Sequence, residues 1–471
     1  MSYDYDIVIL GGGSGGLVVA SAAANLGARV ALVESHKMGG DCLNFGCIPS
    51  KTFLKSAHLA AEIRQSEAFG LTAKLESIDL AKIMRRVQSV IDEIAPHDSV
   101  ARFESLGVDV FQSIGRLLDK HTVLLGAERK VSGKYIVIAT GSEPRLPAIP
   151  GLDNVPYLTN KTIFQLKRCP KQLIILGGGP IGLELGQGFL HLGSNVTVID
   201  CAPTLFGKDE PEVSALMQTH FLNEGMVLNL SAEIERVDMC GNQIQVTIKK
   251  EGAVTKVTGD ALLVSLGRQP VTRGLNLEAV GVKVMNNGYI WTNKRLQTSV
   301  SSIYACGDVV GPYQFTHMAG YQAGIIVRNS LLKLRAAVDY SCVPWTTFTQ
   351  PEVAHVGYTQ KWAEEESIFL DSIHIDLKKM DRAKTDGEVA GFLKLILNKK
   401  AVIIGATLVG KKAGEMIPMA SLAIRQKMKP KAFVSQIFAY PTQSEIYKFA
   451  GLEQLKKGFK PWMKQVIKLL K

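Results

Sequence analysis

The sequence predicts an α/β protein made of two doubly wound, Rossmann-like units and a separate α+β domain. Three observations predict it. The run Tyr5–Leu10 (Y-D-I-V-I-L) is an apolar strand that meets the turn G-G-G-S-G-G, a helix over Leu17–Leu26, and a second strand over Arg29–Glu34. The same order returns from Gln172: a strand L-I-I-L, the turn G-G-G-P-I-G, a helix through Leu192, and the strand N-V-T-V-I-D ending at Asp200. From about Pro344 the pattern changes to separated β-like runs, F-L-K-L-I-L and V-I-I-G-A-T-L-V, followed by helical spacing, which predicts an α+β domain.

Between the two repeats, helices are predicted over Thr52–Gln65 and Asp79–Leu106. They lead to Pro144-Arg145-Leu146-Pro147-Ala148-Ile149-Pro150-Gly151, a composition that marks a linker. Domain boundaries are expected near Pro147, Val271 and Pro344, giving segments 1–147, 148–271, 272–343 and 344–471.

Each glycine turn has a physical reading. In Gly11-x-Gly13-x-x-Gly16 the first glycine makes the turn, the second lets backbone approach a pyrophosphate, and the third lets helix and strand pack closely. The helix N-terminus then faces the phosphates, and Glu34 ends the next strand where a carboxylate accepts from a ribose hydroxyl. The second copy, Gly177-x-Gly179-x-x-Gly182, places Asp200 equivalently, with Cys201-Ala202-Pro203 behind it in place of arginines. A carboxylate there repels a 2′-phosphate, which favours NADH over NADPH.

At 471 residues and 46% hydrophobic, the chain is long enough for several cores. No uninterrupted apolar run approaches the ~20 residues of a membrane helix. The start, Met1-Ser2-Tyr3-Asp4-Tyr5-Asp6, runs directly into a strand, so a cytoplasmic, reducing location is expected. The formal charge of +11 admits anionic partners, but the excess gathers near the C-terminus and suits solvated surface equally; no nucleic-acid partner is expected.

The seven cysteines are scattered except for Cys42 and Cys47 in Gly39-Gly40-Asp41-Cys42-Leu43-Asn44-Phe45-Gly46-Cys47-Ile48-Pro49-Ser50-Lys51. A helix start and Lys51 both favour a thiolate there. Alone, such a pair suits half a metal site as well as a redox couple. Cys169, Cys201, Cys240, Cys306 and Cys342 supply no second pair with ligand spacing, so no metal site is expected.

That thirteen-residue run resembles the redox-disulfide signature of the class I pyridine nucleotide-disulfide oxidoreductases, among them dihydrolipoamide dehydrogenase, glutathione reductase and mercuric reductase. Further blocks of the family follow in order: I-V-I-A-T-G-S at Ile136–Ser142, S-L-G-R-Q-P at Ser265–Pro270, I-Y-A-C-G-D at Ile303–Asp308 and F-T-Q-P-E-V-A-H-V-G at Phe348–Gly357. The resemblance spans essentially the whole chain. It implies an FAD domain (1–147) completed by a central domain (272–343), an NAD(P) domain (148–271), and a C-terminal homodimerisation domain (344–471).

It also implies residue roles. Glu34 would bind the FAD ribose, Lys51 would sit beside the flavin, Gly115 and Thr140-Gly141-Ser142 would line the cofactor, and Gly307 and Asp308 would hold the ribityl chain. The helix opening at Thr316-His317-Met318 would point at the flavin ring, with His317 contributing packing or backbone. Gly267 would border the nicotinamide nucleotide, and Glu184 would lie near Lys51. Cys47 would contact the flavin and Cys42 would exchange with substrate. Pro180 stands where relatives often carry a tyrosine that gates the nicotinamide pocket.

One departure bears on the acceptor. In Phe438-Ala439-Tyr440-Pro441-Thr442-Gln443-Ser444-Glu445, relatives such as dihydrolipoamide dehydrogenase have histidine before the proline, paired with the glutamate represented here by Glu445. A tyrosine of pKa about 10 donates a proton but is a poor base. Mercuric reductase resembles this chain at Tyr440, although the ending Val466-Ile467-Lys468-Leu469-Leu470-Lys471 holds no cysteine pair for metal delivery. From Leu452, lysines interleave with Phe459, Trp462, Met463, Val466 and Ile467, with Pro461 dividing two short helices; the pattern suits a helix on an anionic membrane as well as one packed on its own domain. Three readings stand: a dihydrolipoamide dehydrogenase-like enzyme with a small disulfide acceptor, a membrane-surface or mercuric reductase-like enzyme with a quinone-like or metal-ion acceptor, and a flavin-binding redox-sensing scaffold.

Overall fold

A computed structural model describes residues 2–458. They fall into two compact units: 1–199 with 232–338, and 200–231 with 339 onward.

The first unit is organised around a sheet of parallel and antiparallel strands. β1 (Tyr5–Leu10) lies between β2 (Val30–Glu34) and the long β6 (Arg129–Ile138), and β3 (Val108–Gln112) extends the β2 side. All of these pairs are parallel, as crossover connections require. β4 (Gly115–Leu117) and β5 (Thr122–Leu125) add antiparallel edges, and Ile303–Ala305 joins β6 in parallel from far along the chain. That last pairing sets the 303–308 block against the FAD-type repeat. Ile7, Val8, Ile9 and Leu10 are all buried, because a parallel strand is covered on both faces.

Helix α1 (Ser14–Asn25) follows β1 as expected. The redox motif splits between the short α2 (Gly40–Asn44) and α3 (Cys47–Arg64). The helix expected over 79–106 is broken. It ends at Ile94, passes through a 3₁₀ turn at Ala95–Asp98 and restarts at Val100. Pro96 lacks the N–H needed to continue the ladder, and Ser99 Oγ caps the new helix by accepting from the Arg102 N–H at 3.3 Å.

The second repeat forms the parallel strands Gln172–Leu176, Asn195–Ile199 and Ala261–Val264, with the helix Pro180–His191 beside them. A three-stranded antiparallel sheet, Glu233–Gly259, is inserted before the last strand. The ribbon Ser142–Pro144 with Arg268–Pro270 ends where the expected linker begins, residues 145–149 are irregular as expected, and the ribbon ties the end of one repeat to the exit of the other.

The second unit holds a five-stranded antiparallel sheet in the order 344–347, 352–357, 403–410, 392–398, 369–376, with the helices Ala413–Arg425 and Ile446–Gly458. Segment 200–231, inside the stretch expected to be the NAD(P) domain, belongs to this unit. Lys394, 5% exposed, bonds Glu210 at 2.9 Å and Glu212 at 2.7 Å, anchoring that segment on the sheet. The basic tail is described only to Gly458, so Pro461, Trp462 and the rest of it lie outside the described residues.

Candidate active site

Both glycine turns fit a dinucleotide. A Cβ on Gly11 or Gly16 would strike a backbone carbonyl oxygen at 2.3 or 1.8 Å, and one on Gly177 or Gly182 at 2.5 or 2.1 Å, so these four positions admit glycine alone. The middle glycines differ. A Cβ on Gly13 would meet nothing nearer than 3.8 Å, and one on Gly179 nothing within 4 Å. Their open sides lie where a pyrophosphate would approach. Gly13 and Gly179 are the N-caps of their helices, with no side-chain cap, which leaves N–H groups for an anion.

Glu34 ends β2 with its carboxylate held by backbone N–H groups. Its two oxygens accept from the Gly12 N–H at 2.6 Å and the His36 N–H at 2.7 Å, and each retains a lone pair for a hydroxyl. Ser142 Oγ donates to Asp308 at 2.5 Å, and Thr140 Oγ1 donates to the Val271 carbonyl at 2.6 Å. Burial pushes the Asp308 carboxyl up, against the opposing effects of Ser142 and Arg268. Gly141 and Gly307 adopt positive φ (69° and 77°), and the Gly307 N–H donates to buried Gln322 at 2.7 Å. Gly115 opens β4, where a Cβ would press on Leu10 at 2.7 Å. His317 is exposed and stacks on Phe315 with ring centroids 5.2 Å apart.

Gly267 has φ 98° and open space at its Cβ position. Asp200 follows the strand Asn195–Ile199, and its Oδ1 accepts from the Ala202 N–H at 2.8 Å.

Cys42 and Cys47 lie side by side, with their thiols in hydrogen-bonding contact. Cys47 is the first residue of α3 and lies 3.7 Å from Thr316 Oγ1, at the start of the helix Thr316–Ser330. Lys51, one turn further along α3, bonds Glu184 at 2.7 Å; the Glu184 side chain is 7% exposed. The hydrogen bond from Cys42 brings the Cys47 thiol down to about 6, burial opposes it, and Lys51 assists. The same bond, with burial, pushes the Cys42 thiol far up. These effects favour a thiolate on Cys47 over one on Cys42.

Two polar residues here carried no assigned role in the sequence. Arg268 Nε lies 2.7 Å from Ser142 Oγ, and its Nη2 bonds the Ser142 carbonyl at 3.0 Å and Asp41 at 3.0 Å. Asp41 directly precedes Cys42. The only sequence signal was a charged residue inside each of two recognised blocks, with nothing local to pair them.

In the second unit, Tyr440 is 71% exposed and its hydroxyl donates to Asp381 at 3.1 Å, which raises the phenol above its ordinary value. Glu445 is buried and completes a capping box with Thr442. Among the described residues no group of three or more His, Cys, Asp or Glu could hold a metal ion, and no helix is long and apolar enough to cross a membrane.

A paired dinucleotide fold with a cysteine couple at its centre defines a flavoprotein disulfide reductase. The chain belongs to the pyridine nucleotide-disulphide oxidoreductase family, which it matches over residues 5–323, with the family's dimerisation domain over 343–450. The family uses FAD and NAD(P). Among its relatives is a mercuric reductase from Lysinibacillus sphaericus, 34% identical over 95% of this chain and 82% of that protein. A dihydrolipoyl dehydrogenase from Chlamydia muridarum is 33% identical over 96% and 97%. The Cu(II) complex of the HOCl-induced flavoprotein disulfide reductase RclA from Escherichia coli superposes with a TM-score of 0.84 at 29% identity, covering 94% of this chain and 98% of that one.

Proposed function

We propose that this enzyme works as an NADH-driven homodimeric reductase that delivers electrons from the Cys42–Cys47 couple to a small disulfide or a thiophilic metal ion. The observation that carries this reading is the setting of Cys47: it opens α3, 3.7 Å from Thr316 Oγ1 and one turn before the Lys51–Glu184 ion pair, a setting that favours its thiolate over that of Cys42. FAD, when bound, supplies the two-electron relay between the nicotinamide and the disulfide.

The residues then divide the work. Lys51 and the α3 N-terminus stabilise the Cys47 thiolate, and Glu184 fixes Lys51. Cys42 gives its proton to water, attacks an incoming disulfide and forms a mixed disulfide, expelling one thiolate. Tyr440 is the proposed proton donor to that leaving thiolate and regains its proton from water. Cys47 then attacks Cys42, expels the second thiolate, which takes a proton from water, and restores the internal disulfide. Tyr440 supports the reductive direction. Oxidising a dihydrolipoamide needs a base at this point, and its absence costs a factor of about 10² to 10⁴.

The name of the mercuric reductase relative and the copper complex of RclA support including metal ions among the acceptors. Asp200, with no arginine beside it in sequence, supports NADH over NADPH. A quinone-like acceptor or a membrane contact would draw on the basic tail, while the reductase reading needs no part of it.

Anaerobic addition of NADH tests the proposal. Wild-type protein takes up two electrons more than Cys47→Ser and develops a long-wavelength thiolate band that the variant lacks. Equal uptake by both would overturn the disulfide mechanism. Rates with lipoamide, glutathione disulfide, Hg(II), Cu(II) and quinones then rank the acceptors.

A further inference from the structure

We propose that Asp41 and Arg268 form a charge-balanced positioning pair that clamps the loop between the two cysteines and sets how readily its disulfide is reduced. Asp41 lies under both ends of that loop. It is the residue before Cys42, its carbonyl accepts from the Phe45 N–H at 2.8 Å, and a Cβ on Gly46, the residue before Cys47, would come within 3.3 Å of its carboxylate. Asn160 Nδ2 holds the same floor, reaching Asp41 Oδ1 at 3.3 Å and the Phe45 carbonyl at 3.2 Å.

Arg268 closes the clamp from another element. Its side chain is 13% exposed and bonds Asp41 at 3.0 Å, with Asp308 further off at 3.9 Å. The ribbon between Ser142–Pro144 and Arg268–Pro270 fixes its backbone. A guanidinium held by three partners is well ordered, and a carboxylate so placed cannot swing away from the loop. On the Cys47 side, Lys51 favours the thiolate and Glu184 opposes it less strongly.

Reducing the disulfide adds a thiolate to the loop that this pair holds. Asp41 opposes that anion and Arg268 favours it, so together they leave the couple unbiased. Removing either charge alone moves the couple in opposite directions. A clamp that acted through shape alone would loosen the loop in both variants and move it one way.

The inference rests on Cys42–Cys47 being the redox couple. It is tested on FAD-loaded protein equilibrated in dithiothreitol redox buffers at fixed pH, with thiols counted by mass tagging. Asp41→Asn, which keeps the side chain's shape, raises the dithiol-to-disulfide ratio about fivefold, or ~20 mV at ~30 mV per tenfold for a two-electron couple. Arg268→Met lowers it by a similar factor, the double variant returns close to wild type, and Asp41→Glu matches wild type. If Arg268→Met fails to retain FAD, the contrast between Asp41→Asn and Asp41→Glu decides. An unchanged ratio in Asp41→Asn, or both single variants shifting the same way, overturns the proposal. Failure of the underlying reading looks different: wild type itself would show no pair of thiols titrating across the buffers.

Discussion

Replacing Lys51 by methionine should move the Cys47 thiolate out of the neutral range. Cys47 and Lys51 stand four residues apart on α3, so they share a face with Cβ atoms about 5–6 Å apart. A unit charge at about 6 Å in an effective dielectric of ~20 interacts by about 2.8 kcal/mol, or about two pKa units. The Lys51 side chain is 35% exposed, and solvent screening reduces this to about one unit. Losing Lys51 also leaves the buried Glu184 carboxylate without its cation at 2.7 Å, and that charge further opposes the thiolate. Both effects have the same sign. Starting from about 6, Cys47 moves to about 7 or above, and the thiolate fraction at pH 7 falls from about nine-tenths to about half or less. The assay is the long-wavelength thiolate absorbance of NADH-reduced protein, followed anaerobically from pH 5 to 9. A midpoint in Lys51→Met equal to or below that of wild type would refute the electrostatic role of Lys51.

Two further outcomes follow from single carboxylates. Burial raises Asp209 to about 6, with its Oδ1 accepting from the Trp345 indole N–H at 3.3 Å. The folded protein therefore holds that proton more tightly than the unfolded chain, and the stability it confers is lost as pH rises from about 4 through 6. Asp209→Asn keeps an acceptor for Trp345 and should gain up to about 3 kcal/mol over wild type at pH 7 and little at pH 4; a melting-temperature difference independent of pH would count against this. Asp200→Ala should lower kcat/KM for NADH about 10- to 100-fold, the worth of a charged hydrogen bond to a ribose hydroxyl, with a far smaller loss for NADPH; equal losses for both nucleotides would show that Asp200 does not discriminate.

What was legible in the sequence was local. The glycine turns could be read because their spacing is local: Gly16 and Gly182 each face the carbonyl of the glycine five residues earlier, at 1.8 and 2.1 Å, whereas the carbonyls that exclude a side chain at Gly11 and Gly177 come from Ala139 and Ser265, far along the chain. Cys42 and Cys47 could be read because both fall in one thirteen-residue run. The helix break at Pro96 was also local and was missed, because apolar spacing over 79–106 masked the loss of one N–H. The clamp under the cysteines was not legible in the same way. Asn160 reaches Asp41 across 119 residues and Arg268 reaches Ser142 across 126, through a ribbon between two blocks that nothing local in the sequence pairs. A charged side chain within a motif gives no sign of its partner until the chain has folded. If the proposed clamp holds, the charges beneath the loop set how readily the couple is reduced, and a chain that changed Asp41 would shift its reducing power with the cysteine motif spacing intact.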